Sequence, residues 1–422
     1  MHYDVLVIGA GAAGLVAAAE AASWGRRTLL LEKNKRPGIK ILMSGGTRCN
    51  LTHATDKWGI VKAYGGQGNF LHSALAALSP SELVRLFEEE GVPTKVEETG
   101  KIFPVSNKAT DVLAALVRRL ERSGAELSLD EPTTSCSRAN DKFLVHTRTR
   151  HLTCDSLLIT VGGKSYPGSG TTGDGYAWAA AFGHTIIPPR PALVPITTDE
   201  TWVRSLTGLT IPDVQVAVVP PSPPSEISNL KSQLPIRKSL ASARGSFLFT
   251  HFGLSGPVIL DVSRAVTAYP NPRELALVCD FLPGTKSPEL EEQLQQEAAA
   301  EGKKQVEGLL ARHIPRRLAE ALLAQCGLNP ELRAAELPKK GRGRLVAAIK
   351  QSVIPVSGTR GFAKAEVTAG GVSLSEVDSR TMQSKLVPGL YFAGEILDLD
   401  GPIGGYNFQA AFSTGVLAGR NA

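Results

Sequence analysis

Near the start of the chain, Val5-Leu-Val-Ile-Gly9-Ala-Gly11-Ala-Ala-Gly14 runs on to an acid at Glu32. The three glycines suit three tasks. Gly9 permits a tight turn, Gly11 lets the backbone approach a pyrophosphate, and Gly14 lets a helix pack closely on a strand. The amides opening such a helix, with its partial positive charge, receive phosphates. Glu32, at the tip of the second strand, is placed to accept hydrogen bonds from both ribose hydroxyls, and its charge would repel a 2′-phosphate. The alternative, a bare strand-to-helix turn, is set aside because strand, glycines, helix and acid stand in register.

Near the other end, Gly389-Leu-Tyr-Phe-Ala-Gly394-Glu395 is followed by Gly401-Pro-Ile-Gly404-Gly405-Tyr406-Asn407. A late strand ends in a close backbone approach at Gly394. The carboxylate of Glu395 beyond it suits a ribityl or phosphate region. Gly404-Gly405 opens a helix expected to run to about Ala418. Its N–H groups can face a flavin's N1 and C2 carbonyl, where negative charge accumulates on reduction. A plain glycine N-cap is the alternative. Together the two motifs point to FAD.

Other segments qualify this reading. Ser44-Gly-Gly46-Thr47-Arg48-Cys49-Asn50-Leu-Thr-His53 forms a candidate anion nest, with Arg48 as counter-charge and Asn50 as donor and acceptor; an ordinary loop is its alternative. Cys49 reads as a small packed residue rather than a nucleophile. Gly168-Ser-Gly170-Thr-Thr-Gly173-Asp174-Gly175 repeats the glycine spacing, but Pro167 precedes it and no acid-tipped strand follows near Ile187. It is read as a loop beside the flavin, not an NAD site. His251 and Tyr166 are candidate proton donors, each with a structural alternative. No metal spacing, Walker loop or serine-triad signature appears.

The elements that must position these residues follow from periodicity. Asp4 to Ile8 is a buried strand, Ala12 to Ser23 an alanine-rich helix ended at Gly25, and Arg27 to Leu31 the next strand, opening a right-handed βαβ unit. Pro80 to Glu90 and Thr110 to Ser123 have helical spacing. Ala125 to Leu129, Lys142 to Arg148 and Leu157 to Val161 alternate like strands and would complete the sheet before Gly162-Gly163. After Pro188 to Pro191 come short β-like runs such as Val214 to Val219 and Ser246 to Thr250. Pro220 to Ser242 is proline-rich and reads as a long loop. Ser287 to Ser352 is helical in composition. Val367 to Gly371 and Leu390 to Ala393 are strand-like again. The expected class is α/β, a Rossmann-like FAD domain (1–192 and 358–422) interrupted by a β-rich domain (193–285 with 353–357) and a small helical domain (286–352).

At 422 residues the chain suits two or three domains, and 42% hydrophobic with 20% charged residues describes a globular protein. No run of about 18 apolar residues suggests a membrane span. The N-terminal stretch lacks a basic leader and does not read as a signal peptide. Five scattered cysteines without Cys-x-x-Cys spacing fit a reducing compartment, so a cytoplasmic location is expected. A net charge of +6 and a pI near 9.0 permit anionic partners. For the basic cluster Lys339-Lys340-Gly-Arg342-Gly-Arg344, a solvated turn is preferred over nucleic-acid contact.

These residues resemble a family of bacterial NAD(P)/FAD-dependent oxidoreductases of aminoacetone-oxidase-like type, related to fumarate-reductase-type flavoproteins. The resemblance is carried by the N-terminal glycine motif, Ser44 to His53, Gly100-Lys-Ile-Phe-Pro104, Gly162-Gly-Lys-Ser-Tyr-Pro167 with Thr172-Gly-Asp-Gly175, Phe249 to Pro257, Val367 to Gly371 and Gly389 to Gln409. It implies a fumarate-reductase-like FAD domain interrupted by a β-barrel-like and a helical domain. It further implies redox chemistry on small organic molecules, including steroid-like enones, held between cofactor and inserted domains. With the motifs, it gives a cofactor-binding set of Gly9, Gly11, Ala13, Gly14, Glu32, Lys33, Lys40, Gly46, Thr47, Arg48, Cys49 and Asn50 from the N-terminal part. Gly162, Gly163, Asp174, Gly394, Glu395, Gly404, Gly405, Tyr406 and Asn407 complete it. Three positions depart from the family pattern: Thr47 stands at a usual glycine, Val161 at a usual threonine, and Glu395 at an aspartate common in wider flavoproteins. The leading expectation is hydride transfer between flavin and a small organic substrate, with NADH or NADPH as transient donor. An RNA-modifying flavoprotein and a non-enzymatic flavin redox sensor stand as alternatives.

Overall fold

The computed structural model describes residues 1–220, 239–329 and 331–422. They form two compact units, one of residues 1–191 with 365–422 and one of residues 192–364.

In the first unit the strand His2–Ile8 pairs in parallel with Thr28–Leu31 on one side and His151–Ile159 on the other. Glu126–Ser128 extends the sheet beyond Thr28–Leu31, and Leu390–Phe392 pairs in parallel with the end of His151–Ile159. The start of that same strand turns antiparallel, through Lys142–Thr147 to Thr133–Ala139. Leu6, Val7, Leu29, Leu30, Leu157 and Leu158 are fully buried, as apolar runs in a sheet covered on both faces must be. Because the central strands are parallel, Gly9, Glu32, Thr160 and Ala393 all follow carboxyl ends on one edge. That is the edge where open α/β sheets hold ligands.

Two helices cover this sheet and each other. Ala12–Ser23 starts at Gly11, and the C-terminal helix spans Tyr406–Asn421. They run the same way, because Gly415 lies against the carbonyl of Ala13 and Gly419 against that of Ala17; a Cβ on either glycine would stand 2.4 Å from the facing oxygen. Two glycines one turn apart allow this close approach, as small residues at that spacing do elsewhere. At the far end, Arg420 and Arg119 both pair with Glu20.

The second unit contains a seven-stranded sheet in the order Ser352–Pro355, Ala276–Asp280, Thr210–Val219, Ala241–Thr250, Gly253–Ser255, Ile196–Thr197, Gly358–Thr359. Its two edge strands are consecutive in the chain, so the sheet curls back on itself. The helices Ser287–Ala300, Arg316–Gln325 and Lys339–Lys350 share its core: Leu290, Leu318 and Leu345 bury with Val216, Phe247 and Leu277. Composition separates 286–352 from the β-rich stretch, whereas packing joins them in one unit.

Other differences from the sequence reading are local. Of the loop expected over Pro220 to Ser242, residues 221–238 lie outside the described residues, and Ala241 and Ser242 already belong to the strand Ala241–Thr250. Lys339 to Arg344 form the opening turns of a helix rather than a turn. The C-terminal helix continues past Ala418 to Asn421. Thr133–Ala139 is a strand that alternation does not reveal, because only Cys136 of its seven residues is buried. Among the described residues no helix is long and apolar enough to cross a membrane.

Gly415→Ala is expected to destabilise the protein by about 1–3 kcal/mol, since the new methyl group meets backbone that cannot move aside. Gly343→Ala, in a helix with nothing within 4 Å of its would-be Cβ, is expected to stabilise by about 0.5–1 kcal/mol. Urea denaturation of both variants against the parent checks the pair.

Candidate active site

The strand-to-helix turn at Gly9 is built as its glycines predict. Gly9 has φ +102° and a Cβ there would lie 2.9 Å from the carbonyl oxygen of Thr160; one on Gly14 would lie 1.9 Å from that of Gly9. Gly11 alone of the three faces open space, with nothing within 4 Å. Thr160 locks the turn, donating through Oγ1 to the carbonyls of Ile8 and Gly9 at 2.8 and 2.9 Å. It lies next to Val161, where the family pattern has its threonine. The sequence reading missed Thr160, although a hydroxyl directly after a buried strand was visible.

Glu32 is buried. Its Oε2 accepts from the amide of Ala10 at 2.9 Å, and its Oε1 accepts from Asn34 N and Nδ2 at 2.9 and 2.7 Å. The carboxylate therefore already joins the glycine turn to the strand tip. It retains an open lone pair on Oε2, while a grip on both ribose hydroxyls needs the Asn34 side chain to give way. The strand tip is buttressed in turn. Backbone amides of Asp130 and Glu131 donate to the carbonyls of Asn34 and Glu32. Glu131 is held in a two-pronged grip by Arg150 at 2.7 Å on each oxygen.

The segment Ser44 to His53 approaches the C-terminal helix. Gly45, Gly46, Thr47 and Cys49 all have left-handed φ, between +56° and +68°. Arg48 between Thr47 and Cys49 is right-handed, so these three alternate in hand as anion nests do, although the Cys49 amide already donates to the Ser44 carbonyl at 3.1 Å. Thr47, at φ +68°, sits where glycine would be unstrained, the physical content of its departure from the family pattern. Arg48 does not stand free as a counter-charge. It pairs with Glu97 at 2.6 Å and lies over the Phe103 ring at 4.0 Å. Cys49 is fully buried, and burial pushes its thiol up to about 12, so it stays protonated and packs. Thr52 lies against Gly405, whose Cβ would stand 2.5 Å from the Thr52 carbonyl carbon. His53 stacks on Tyr406 at 4.8 Å, with Nδ1 3.2 Å from the Gly404 carbonyl oxygen.

The remaining expected positions fall into pairs. Lys33 and Asp174 bind each other at 2.6 Å; burial opposes it, but the bonds from Lys33 and Thr172 hold the Asp174 carboxyl below its ordinary value. Lys40 meets Glu395 at 2.5 Å and Ser165 at 2.7 Å. Glu395 Oε1 also takes Ser165 and the amide of Thr368 at 2.6 and 2.9 Å, so this carboxylate ties three segments together. Gly163 fits beneath it because a Cβ would lie 2.4 Å from Thr368 Oγ1, while Gly162 adopts φ +74°. Gly394 and Ala13 touch each other; a Cβ on Gly394 would be 2.9 Å from that of Ala13. The Asn407 side chain shapes the preceding loop, accepting from Gly401 N at 2.8 Å and donating to the Gly401 and Pro402 carbonyls. Gly170 packs on Asn34, which brings the second glycine-rich loop beside a hydrogen-bond partner of Glu32. Tyr166 is half-buried with φ +57°, and His251 is exposed on a turn with its ring edge-on to Phe252. Among the described residues neither acquires a partner that marks it as an acid.

These residues fit FAD on three observations. The helices from Gly11 and Gly405 both start without a side-chain cap. Gly11 and Gly46 open onto empty space. Asn50 Oδ1, Thr52 Oγ1 and Gln409 Oε1 are buried without a hydrogen-bond partner among the described residues. The two helix starts are staggered. With Gly415 beside Ala13, the C-terminal helix leads by about eight residues, or about 12 Å. A cofactor with phosphates at one start and a ring at the other suits that offset.

Fold and site define a flavoprotein oxidoreductase with a Rossmann-type FAD-binding domain. The chain belongs to the HI0933-like family, whose Rossmann-domain model matches residues 3–421. It is 34% identical to the ribosomal RNA dihydrouridine synthase of Escherichia coli, over 98% of this chain and 96% of that protein. The protein of the same name from Haemophilus influenzae is also 34% identical, with the same coverage. It is 30% identical to the 3-dehydro-bile acid delta(4,6)-reductase of Clostridium scindens, over 99% of this chain and 98% of that one.

Thr47→Gly is expected to stabilise the protein by about 1 kcal/mol by relieving a left-handed β-branched residue, read as a higher denaturant midpoint. Glu131 supplies a pH dependence. Bonds from Arg150, against the opposing effect of burial, bring its carboxyl from 4.5 to about 2. Its contribution to stability is complete above the ordinary carboxylate value and is lost as pH falls from there toward 2. Glu131→Gln should therefore lower stability at neutral pH and flatten the acid loss, seen in urea midpoints at pH 6, above that window, and at pH 3, within it.

Proposed function

We propose that this protein saturates a carbon–carbon double bond conjugated to a carbonyl, with uridine in RNA as substrate and NADH or NADPH as electron donor. The observation that carries the reading is the end-to-end match to the two relatives named as ribosomal RNA dihydrouridine synthases. Dihydrouridine arises by adding hydrogen across the uracil C5=C6 bond, which is conjugated to C4=O. The bile-acid relative is named for reduction of steroid double bonds in a 3-oxo compound. One chemistry embraces both names: hydride to the carbon β to a carbonyl, proton to the carbon α to it.

Bound FAD would supply the hydride; the chain's part is to hold and orient it and to stabilise charge. Gly11 and the first helix would receive the pyrophosphate, and Glu32 a ribose hydroxyl. The uncapped amides after Gly405 would face the ring edge where electrons accumulate. RNA is favoured by charge. The chain carries a net +6, and Lys339, Lys340 and Arg344 are exposed at the start of a helix, where the macrodipole adds to their positive field instead of opposing it. A small enone is the second reading, favoured by the steroid-active relative.

The deciding experiment loads the protein with FAD, reduces it anaerobically with NADPH or NADH, and offers uridine-containing RNA or a 4-en-3-one steroid. RNA is expected to reoxidise the flavin and gain the mass of two hydrogens per site, more slowly as salt rises. Reoxidation by the steroid alone would transfer the proposal to small enones. Failure of both, or failure to take up FAD, would overturn it.

A further inference from the structure

Arg190 lies in the strand Ile186–Ala192, which pairs with Val367–Val372 in a two-stranded sheet of the first unit. Its Nε is buried and has no hydrogen-bond partner, and no carboxylate among the described residues forms an ion pair with its guanidinium. A buried donor left unmade costs about 1–3 kcal/mol, more when charged. An arginine held in that state is poised for an acceptor that arrives from outside.

The chain is shaped to bring Arg190 to the ligand edge. Gly370 and Gly371 have φ of +84° and +143°; a Cβ on the first would lie 2.5 Å from the Pro188 carbonyl oxygen and on the second 2.4 Å from that of Ile396. This glycine pair lets the strand carrying Arg190 and the segment carrying Asp398 close on either side. Asp398 belongs to the loop between Glu395 and Gly404, which follows a strand end on the ligand-binding edge. Its backbone is pinned by Val372 and by Gln67. Burial raises its carboxyl above the ordinary value, while Gly370 N–H, Gln67 and the field of Arg190 act the other way. Asp398 thus feels Arg190 without pairing to it, and the guanidinium keeps its charge for a ligand.

We infer that Arg190 is the residue that takes the negative charge developing on the carbonyl oxygen of the substrate. The inference rests on the conjugated-alkene reading above. In that reaction the hydride from reduced flavin forms a C–H bond at the β carbon, and the π electrons of the alkene move to the carbonyl oxygen as an enolate. A proton from solvent then completes the α carbon; the alkene is reduced by two electrons and the flavin oxidised by two. Arg190 would donate to the oxygen throughout, most strongly when the charge is full. A planar fork of donors suits either uracil O4 or a ring ketone.

The test uses a stand-in that needs no turnover. A phenolate such as 4-hydroxybenzaldehyde presents an anionic oxygen on a flat ring and perturbs the absorbance of oxidised flavin when it stacks there. The FAD-loaded parent is expected to show this perturbation. Arg190→Gln should weaken phenolate binding by about tenfold or more, the loss of one charge-assisted hydrogen bond. Flavin content and the rate of flavin reduction by NADPH should stay unchanged. Arg190→Lys, which keeps charge without the fork, should fall between, and serves if Arg190→Gln does not fold. The inference is overturned if the parent binds no phenolate, if both variants bind it as the parent does, or if they lose FAD, which would assign the guanidinium to the cofactor. Should neither RNA nor steroid reoxidise the flavin, the reductase reading falls, while the phenolate titration still decides whether Arg190 receives an anionic oxygen.

Discussion

The contact on which the site depends is backbone against backbone, between the first helix and the last. Gly415 and Gly419 let the C-terminal helix settle onto the carbonyls of Ala13 and Ala17. Parallel helices at that distance align their macrodipoles in the same sense, an arrangement that anionic charge near their two staggered positive ends relieves. Gly394 against Ala13, Gly163 beneath Glu395 and Gly405 against Thr52 are further close approaches that bring distant segments to the same edge.

Around this frame most charged groups are already satisfied by the protein itself. Lys33 with Asp174, Lys40 with Glu395 and Arg48 with Glu97 are internal pairs. They set the walls of the site more than they supply its grip. Among the described residues, buried atoms left without partners include neutral oxygens of Asn50, Thr52 and Gln409 and a nitrogen of Arg190. A site that settles its own charges and leaves a few directed donors and acceptors open gains orientation at little cost in reorganisation.

Much of this was legible in the sequence, for a physical reason. The first helix spans Ala12–Ser23 as periodicity predicts, and the opening strands fall within a few residues of their expected places. Apolar runs buried on both sides and glycines at forced approaches leave a direct mark on residue choice. The strand Thr133–Ala139 left none, being exposed along most of its length. Within a stretch expected to be helical, the start at Lys339 reads as a turn because it is basic and glycine-containing, and packing of Leu345 and Ile349 overrides that local preference. Pairings such as Lys40 with Glu395 join residues hundreds of positions apart and follow no spacing rule. Arg190 was invisible for the opposite reason: what distinguishes it is the lack of a partner, and only coordinates reveal that.

The helix Tyr406–Asn421 also has a meaning in time. A nascent chain emerges from its N-terminus, so the strand, turn and helix that would receive phosphates exist long before the segment that packs on them. Until that last helix docks, Ala13, Val16 and Ala17 lack their cover, and the amides after Gly405 have no place at the edge. A chain cut before Tyr406 would keep the nucleotide motif in its sequence but lose the helix that lies against Ala13 and Ala17.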